Sequence, residues 1–194
     1  MDLIFATHNK GKLREVQRLV PEGIRVISLD ELNMTTEIEE TGTTLQENAL
    51  IKARCLYALN NKPVLADDTG LEVAALKGAP GVYSARYAGE PSDAEKNMNL
   101  LLHNLAGVAD RSARFRTAIA YIDNEGQEYL FEGIVEGTIL IERHGDEGFG
   151  YDPIFKPKGY DVSFAQMSLG EKNTISHRAR ALQQFGKFIK ARQS

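Results

Sequence analysis

The sequence predicts a mixed-sheet α/β or α+β fold, and two patterns carry that prediction. The chain opens strand–helix–strand over residues 2–6, 11–20 and 24–28. Its second half holds two long alternating segments, "ARFRTAIAYI" and "EYLFEGIVEGTIL", separated by Asp123-Asn124-Glu125-Gly126, which reads as an antiparallel hairpin. A βαβ opening followed by a hairpin makes the sheet mixed.

The elements follow in order. The first helix has Leu13, Val16, Leu19 and Val20 at apolar positions. The stretch "TGTTLQENALIKARCLYAL" is a second helix, capped by Thr43 with Gln46 or by Thr44 with Glu47, and Leu45, Ala49, Ala53 and Leu56 form its inward face. "PVLA", residues 63–66, is a short strand ending at Asp67-Asp68-Thr69-Gly70, after which "LEVAAL" is extended or mixed. Glycines and prolines mark residues 77–91 as a long loop. Ser92 with Glu95 would cap a third helix with Leu100, Leu101 and Leu105 on its apolar side. Residues 145–160 are rich in glycine and proline, and "SHRARALQQFGKFIKAR" closes the chain as a helix with Leu182, Phe185 and Ile189 inward. No internal repeat or low-complexity segment divides the chain, so residues 1–194 are expected to form one domain, with a smaller lobe at most.

Composition excludes several classes. With 42% hydrophobic and 26% charged residues the chain is neither disordered nor fibrous. No apolar run approaches the roughly 18 residues of a membrane span, and no basic, apolar leader opens it, so no membrane partner is expected. The lone Cys55 cannot form an internal disulfide, which suits a cytoplasmic location. A net charge of −4 argues against a nucleic-acid partner. Local clusters (Lys10, Lys12 and Arg14; Lys172, His177, Arg178 and Arg180) instead suit a small, highly charged anion.

Four stretches carry candidate chemistry. In "THNKGK" a strand gives way to a helix N-terminus, whose freed N–H groups and dipole can seat a phosphate; Thr7 and Asn9 could add donors and Lys12 a charge. The alternative is a solvated cap. In "ADDTG" two adjacent carboxylates repel unless a cation or proton offsets them, which suits Mg²⁺ beside a phosphate; an Asx-type turn onto Thr69-Gly70 is the other reading. Glu37, Glu39 and Glu40 precede the second helix, where the dipole alone attracts acids, though one could complete a metal site. Lys52, in mid-helix, would ordinarily be solvated. "EGFGYDP" sets Phe149 and Tyr151 among glycines, where a flat base could stack or the rings could plug the loop. "KNTISHR" brings Lys172, Ser176, His177 and Arg178 to a helix start as donors for an anion or for carbonyl oxygens.

Together these are parts of a nucleoside triphosphate site, and in order along the chain they resemble the inosine/xanthosine triphosphate pyrophosphatases. The resemblance rests on "THNKGK", "EETG", "ENALIKA", "ADDTGL", "GAPGVYSARYAG", "GFGYDPIF" and "EKNTISHR" and runs nearly end to end. It implies an ITPase-like α/β fold: an elongated, twisted central mixed sheet with two lobes around a deep cleft. It also implies a homodimer, a need for Mg²⁺, and cleavage of ITP, dITP and XTP to monophosphate and pyrophosphate. By motif, substrate contact would fall on Thr7, His8, Asn9, Lys10, Gly11, Lys12, Lys52, Thr69, Phe149, Gly150, Tyr151, Asp152, Lys172, His177 and Arg178. His8 departs from the family, where glycine often stands. Asp68 would be the catalytic base, with Glu39 and Asp68 on the metal, Glu40 being the neighbouring alternative. Phe149 would stack on the purine. Arg178 and main-chain N–H groups would pair with the O6 of deaminated bases and meet a donor on adenine.

Overall fold

Leu3, Ile4 and Phe5 are fully buried, so the first strand is covered on both faces. This is β1 (Asp2–Phe5) in a computed structural model that describes residues 1–193. The remaining strands are β2 (Arg25–Ile27), β3 (Val64–Val73), β4 (Pro80–Gly81), β5 (Ser112–Ile122), β6 (Glu128–Ile139) and β7 (Phe155–Pro157). The helices are α1 (Lys10–Leu19), α2 (Leu45–Asn60), α3 (Ala94–Asn104), α4 (Leu169–Ile175) and α5 (His177–Gln193). Among the described residues the strands form one mixed sheet in the order β2-β1-β3-β5-β6-β7, with β4 paired to β3. The chain divides into two compact units: Met1–Asp68, Thr117–Gly133 and Arg178–Ser194 make the first, and Thr69–Arg116 with Ile134–His177 make the second.

In the first unit β1 runs parallel to both β2 and β3. Side chains alternate across a strand. Leu3, Phe5 and Leu65 therefore pack with Val16 of α1 and with Ala181, Leu182 and Phe185 of α5. Ile4, Val64 and Ala66 face the other way, onto Ala49, Ala53 and Leu56 of α2. The sheet is thus sandwiched, and each residue's parity along β3 decides which helices it meets. α2 begins with a reciprocal capping box: the Thr44 hydroxyl accepts from the Glu47 N–H at 3.1 Å, and the Glu47 carboxylate accepts from the Thr44 N–H at 3.2 Å. It ends at Asn61 in the left-handed region, φ 49°.

The second unit has its own core, in which Leu71 and Val73 meet Met98 and Leu101 of α3 and the rings of Phe115, Phe155 and Phe164. Phe115 and Phe155 meet edge to face with centroids 4.6 Å apart.

Two local expectations change. β3 does not stop before the acidic pair but continues through Asp67-Asp68-Thr69-Gly70 to Val73, where Leu71 and Glu72 pair with Gly81 and Pro80 of β4. Burial of Leu71 and Val73 holds extended a segment whose composition reads as a turn. The cap of α3 is Asp93, whose carboxylate accepts from the Lys96 N–H at 3.1 Å, while the Ser92 hydroxyl donates to the Ala85 carbonyl instead. The α2 cap gives a direct test: Thr44→Ala should lower unfolding free energy by about 1 kcal/mol, read as a lower urea midpoint at unchanged m-value.

Candidate active site

The strand-to-helix turn after β1 is built by its own side chains. Thr7 Oγ1 accepts from the Asn9 N–H at 3.1 Å, and Asn9 Oδ1 accepts from the N–H groups of Gly11 and Lys12 at 2.9 and 3.1 Å. Asn9 is therefore the N-cap of α1, and its oxygen is committed to the helix; Nδ2 is the donor it could offer a ligand. His8 is exposed, with Nε2 3.3 Å from the Thr36 carbonyl, and Lys10 is exposed beside it. Lys12, a turn into the helix, reaches Asp67 Oδ1 at 3.2 Å.

The two carboxylates that look alike in the sequence have opposite surroundings. Asp67 shares the parity of Leu65 and meets α1 and α5; Asp68 shares the parity of Ala66 and meets α2. Asp67 is fully buried, with Oδ1 on Lys12 and Oδ2 3.0 Å from Arg178 Nε. Arg178, itself buried, also pairs through Nη1 with Glu15 of α1. Burial pushes the Asp67 carboxyl up, but Lys12, Arg178 and Lys52 outweigh it and hold the group well below the usual carboxylate range. Asp68 has lost most of its hydration. Its Oδ2 accepts from Asn48 Nδ2 at 3.0 Å, and burial, with Glu40 adding to it against the pull of Lys52, pushes its pKa up to about 6.

Lys52 is not solvated. It is buried, donating to the Asp67 carbonyl at 2.5 Å and to Glu40 Oε1 at 2.8 Å. Asn48 and Lys52 are one turn apart on α2, so the helix face that is apolar at Ala49, Ala53 and Leu56 carries a polar edge toward the strand end. Glu37 and Glu39 are exposed; Glu40 is half-buried and is the carboxylate on Lys52. Among the described residues no group of three or more His, Cys, Asp and Glu side chains could hold a metal ion. Asp68 and Glu40 supply two hard oxygen donors. That set fits a cation such as Mg²⁺, which keeps several waters and takes further ligands from phosphate.

In the second unit the glycine loop makes an aromatic platform. Gly148 and Gly150 have φ +73° and +62°, which strains any other residue, and a side chain at 148 would strike the Asp152 carboxylate. Asp152 Oδ2 accepts from the Phe149 N–H at 3.1 Å and from Lys172 Nζ at 2.6 Å. That ammonium lies 4.7 Å from the centroid of the Phe149 ring. Tyr151 differs from Phe149: its ring is buried and its hydroxyl donates to the Ser84 carbonyl at 2.6 Å, so it anchors the loop. His177 is buried with its ring stacked on Phe115, centroids 4.6 Å apart. Thr69 is half-buried on β3. The basic group at the α5 start is therefore divided, since Lys172 and His177 belong to the second unit and Arg178 belongs with Asp67 in the first.

Sequence reasoning passed over Glu15, Asn48, Ser84 and Phe115. Asn48 had a signal, since it lies one turn from Lys52 beside a buried alanine stripe; Glu15 reads as an ordinary surface position of an amphipathic helix.

Such a site sets lysines and a capped helix start beside one ionised and one readily protonated carboxylate in an α/β protein. The chain belongs to the Ham1 family, whose family model matches residues 3–188. It is 51% identical over 189 residues to the dITP/XTP pyrophosphatase of Christiangramia forsetii, covering 97% of this chain and 99% of that one. It is 47% identical to the dITP/XTP pyrophosphatase of Bacillus subtilis, covering 98% of each. The solved structure of the Staphylococcus aureus Ham1 protein superposes with a TM-score of 0.88 at 40% identity, covering 99% of this chain and 100% of that one.

The raised Asp68 carboxyl has a cost to the fold. Its folded pKa lies above the unfolded value of 3.8, so the penalty is absent below about pH 4, grows as pH rises, and is complete above about 6. In EDTA, Asp68→Asn should stabilise the protein at pH 8 by roughly 2–3 kcal/mol and change little at pH 4, as read by urea unfolding. A loss of stability of equal size at both pH values would contradict this electrostatic account.

Proposed function

We propose that this chain is a Mg²⁺-dependent nucleoside triphosphate pyrophosphatase that hydrolyses the deaminated purine nucleotides ITP, dITP and XTP to monophosphate and pyrophosphate. The observation that carries the reading is the divided acidic pair, in which Asp67 is spent holding cations while Asp68 sits near the pKa a general base needs at neutral pH. The names of the relatives supply the substrate class.

The phosphates fall to the first unit. Lys10, Lys12 and Lys52 neutralise the chain of phosphates and Thr7 and Asn9 Nδ2 donate to it, with His8 and Gly11 in the same turn. Asp68 orients a water and takes its proton as the oxygen bonds to the α-phosphorus and the bond to the bridging oxygen breaks. Glu40, rather than Glu39, joins Asp68 as the second carboxylate for the metal, because Glu40 is the one tied to Lys52. Bound there, Mg²⁺ would stabilise charge on the phosphates and on the departing pyrophosphate. The purine is assigned to Phe149, between Gly148 and Gly150, with Asp152, Lys172 and His177 for its polar groups and Tyr151 and Thr69 in support. Arg178 acts through Asp67, which it shares with Lys12. A homodimer acting on free nucleotides in the cytoplasm completes the proposal.

The test is pyrophosphate release from XTP, ITP, dITP, ATP and GTP. Release from the first three, at least about tenfold above ATP and GTP and abolished by EDTA, is expected. Asp68→Asn should lower kcat by about 10²-fold or more while still binding ITP. Silence across the panel, or full turnover by the Asn variant, would sink the proposal.

A further inference from the structure

The stretch "GAPGVYSARYAG" has no place in the chemistry described so far. Its residue Ser84 opens a short 3-10 turn, Ser84–Arg86, and is buried in the second unit. The Ser84 hydroxyl accepts from the Leu71 N–H at 2.9 Å and donates to the Gly81 carbonyl at 2.6 Å. Leu71 and Gly81 are register partners, so the hydroxyl clasps β3 to β4. The Ser84 carbonyl accepts from the Tyr151 hydroxyl at 2.6 Å and from Asn97 Nδ2 at 3.4 Å. Asn97, buried on α3, also donates to the Ala85 carbonyl at 2.9 Å and accepts from the Ala88 N–H at 2.8 Å, which fixes the turn on both sides.

A chain of hydrogen bonds therefore runs from the β3 backbone through Ser84 to Tyr151, two residues beyond Phe149. Phe149 stands between Gly148 and Gly150, both at positive φ. Glycine loses more conformational freedom on ordering than any other residue, so the place of the ring depends on what is fixed beside it. Asp152 holds the Phe149 N–H from one side. Tyr151 is the next fixed point, and a phenylalanine there would bury the same ring. What the hydroxyl adds is direction, because it ties the loop to one particular carbonyl. A bond made only to satisfy a buried hydroxyl would have no bearing on a ligand, and that difference can be measured.

We propose that Ser84 is a positioning residue of the base platform: its hydroxyl secures the turn to the end of β3, and its carbonyl holds Tyr151 so that the Phe149 ring stays where a purine stacks. This rests on the reading of Phe149 as the base platform and extends it to a residue 65 positions earlier in the chain. It gives the "VYSAR" turn a role in affinity for the base, separate from the handling of the phosphates.

The experiment uses the full chain, with KM and kcat for ITP as one readout and inhibition by inorganic tripolyphosphate, which carries no base, as the other. Tyr151→Phe keeps the ring and removes only the tie; it should raise KM for ITP about fivefold and leave tripolyphosphate inhibition within about twofold. Ser84→Ala should act in the same direction. Because both act through one chain of bonds, the double variant should be no worse than the worse single one. A merely structural role lowers the amount of folded enzyme, which shows in kcat per chain and leaves KM in place; that pattern would overturn the inference. So would equal weakening of ITP and tripolyphosphate, or additive effects in the double variant. Tyr151→Phe decides the matter even where Ser84→Ala does not fold. Phe149→Ala separates the two levels of the account, since loss of stacking should raise KM for ITP at least about fivefold. If that variant leaves KM unchanged, the base platform itself is rejected and the inference falls with it. If it raises KM and Tyr151→Phe does not, only the part assigned to Ser84 is rejected.

Discussion

The pleat of β3 sends Asp67 and Asp68 to opposite faces of the sheet, and the chemistry available to the first unit depends on that separation. On one face the carboxylate finds Lys12 and Arg178 and stays ionised despite full burial. On the other, burial with a nearby glutamate outweighs Lys52, Lys12 and the Asn48 amide, and its pKa rises to about 6. Two identical side chains thus become a fixed anion and a titratable base, a division of labour set by environment rather than by residue type. A shift of one residue in the strand's register would exchange them.

Each of the other features of the first unit serves one of the two. Burying Asp67 is tolerable only with cations at hand, because an uncompensated carboxylate in that position would cost several kcal/mol. The cations come from α1 and α5, on the sheet face where β1 and β3 already bury Phe5 and Leu65. Raising Asp68 requires that α2 approach closely, which small Ala49 and Ala53 permit, and that its polar edge end in Asn48 and Lys52. Lys52 links the faces, donating to the backbone of Asp67 and to Glu40. In the second unit the same economy appears once more: Asp152 both fixes the Phe149 backbone and holds the ammonium over the ring.

Much of this was legible in the sequence, and the gaps have physical causes. The βαβ opening, the α2 cap and the hairpin follow local rules of periodicity and capping, which need no distant partner. The length of β3 did not, because Asp-Asp-Thr-Gly has turn composition and is held extended by pairing with β4 and by burial of Leu71 and Val73. Lys52 looked solvated because its partners Glu40 and Asp67 lie twelve and fifteen residues away in the chain. The same distance hides the difference between Glu39 and Glu40, which only the approach of Lys52 resolves. Glu15 could not be singled out at all: on a helical wheel it is one more charged residue, and what makes it unusual is an arginine far along the chain in α5. Family resemblance pointed to Lys12, Lys52, Asp68 and Arg178, but not to Glu15, which pairs with Arg178.

The most direct measurement is a carboxyl-carbon NMR titration of the metal-free protein, with Asp67 and Asp68 assigned by Asn substitution at each. Asp68 should titrate near pH 6, and Asp67 should remain ionised down to the onset of acid unfolding. If both titrate together near 4, the environments do not separate them, and the account of one fixed anion beside one poised base is wrong.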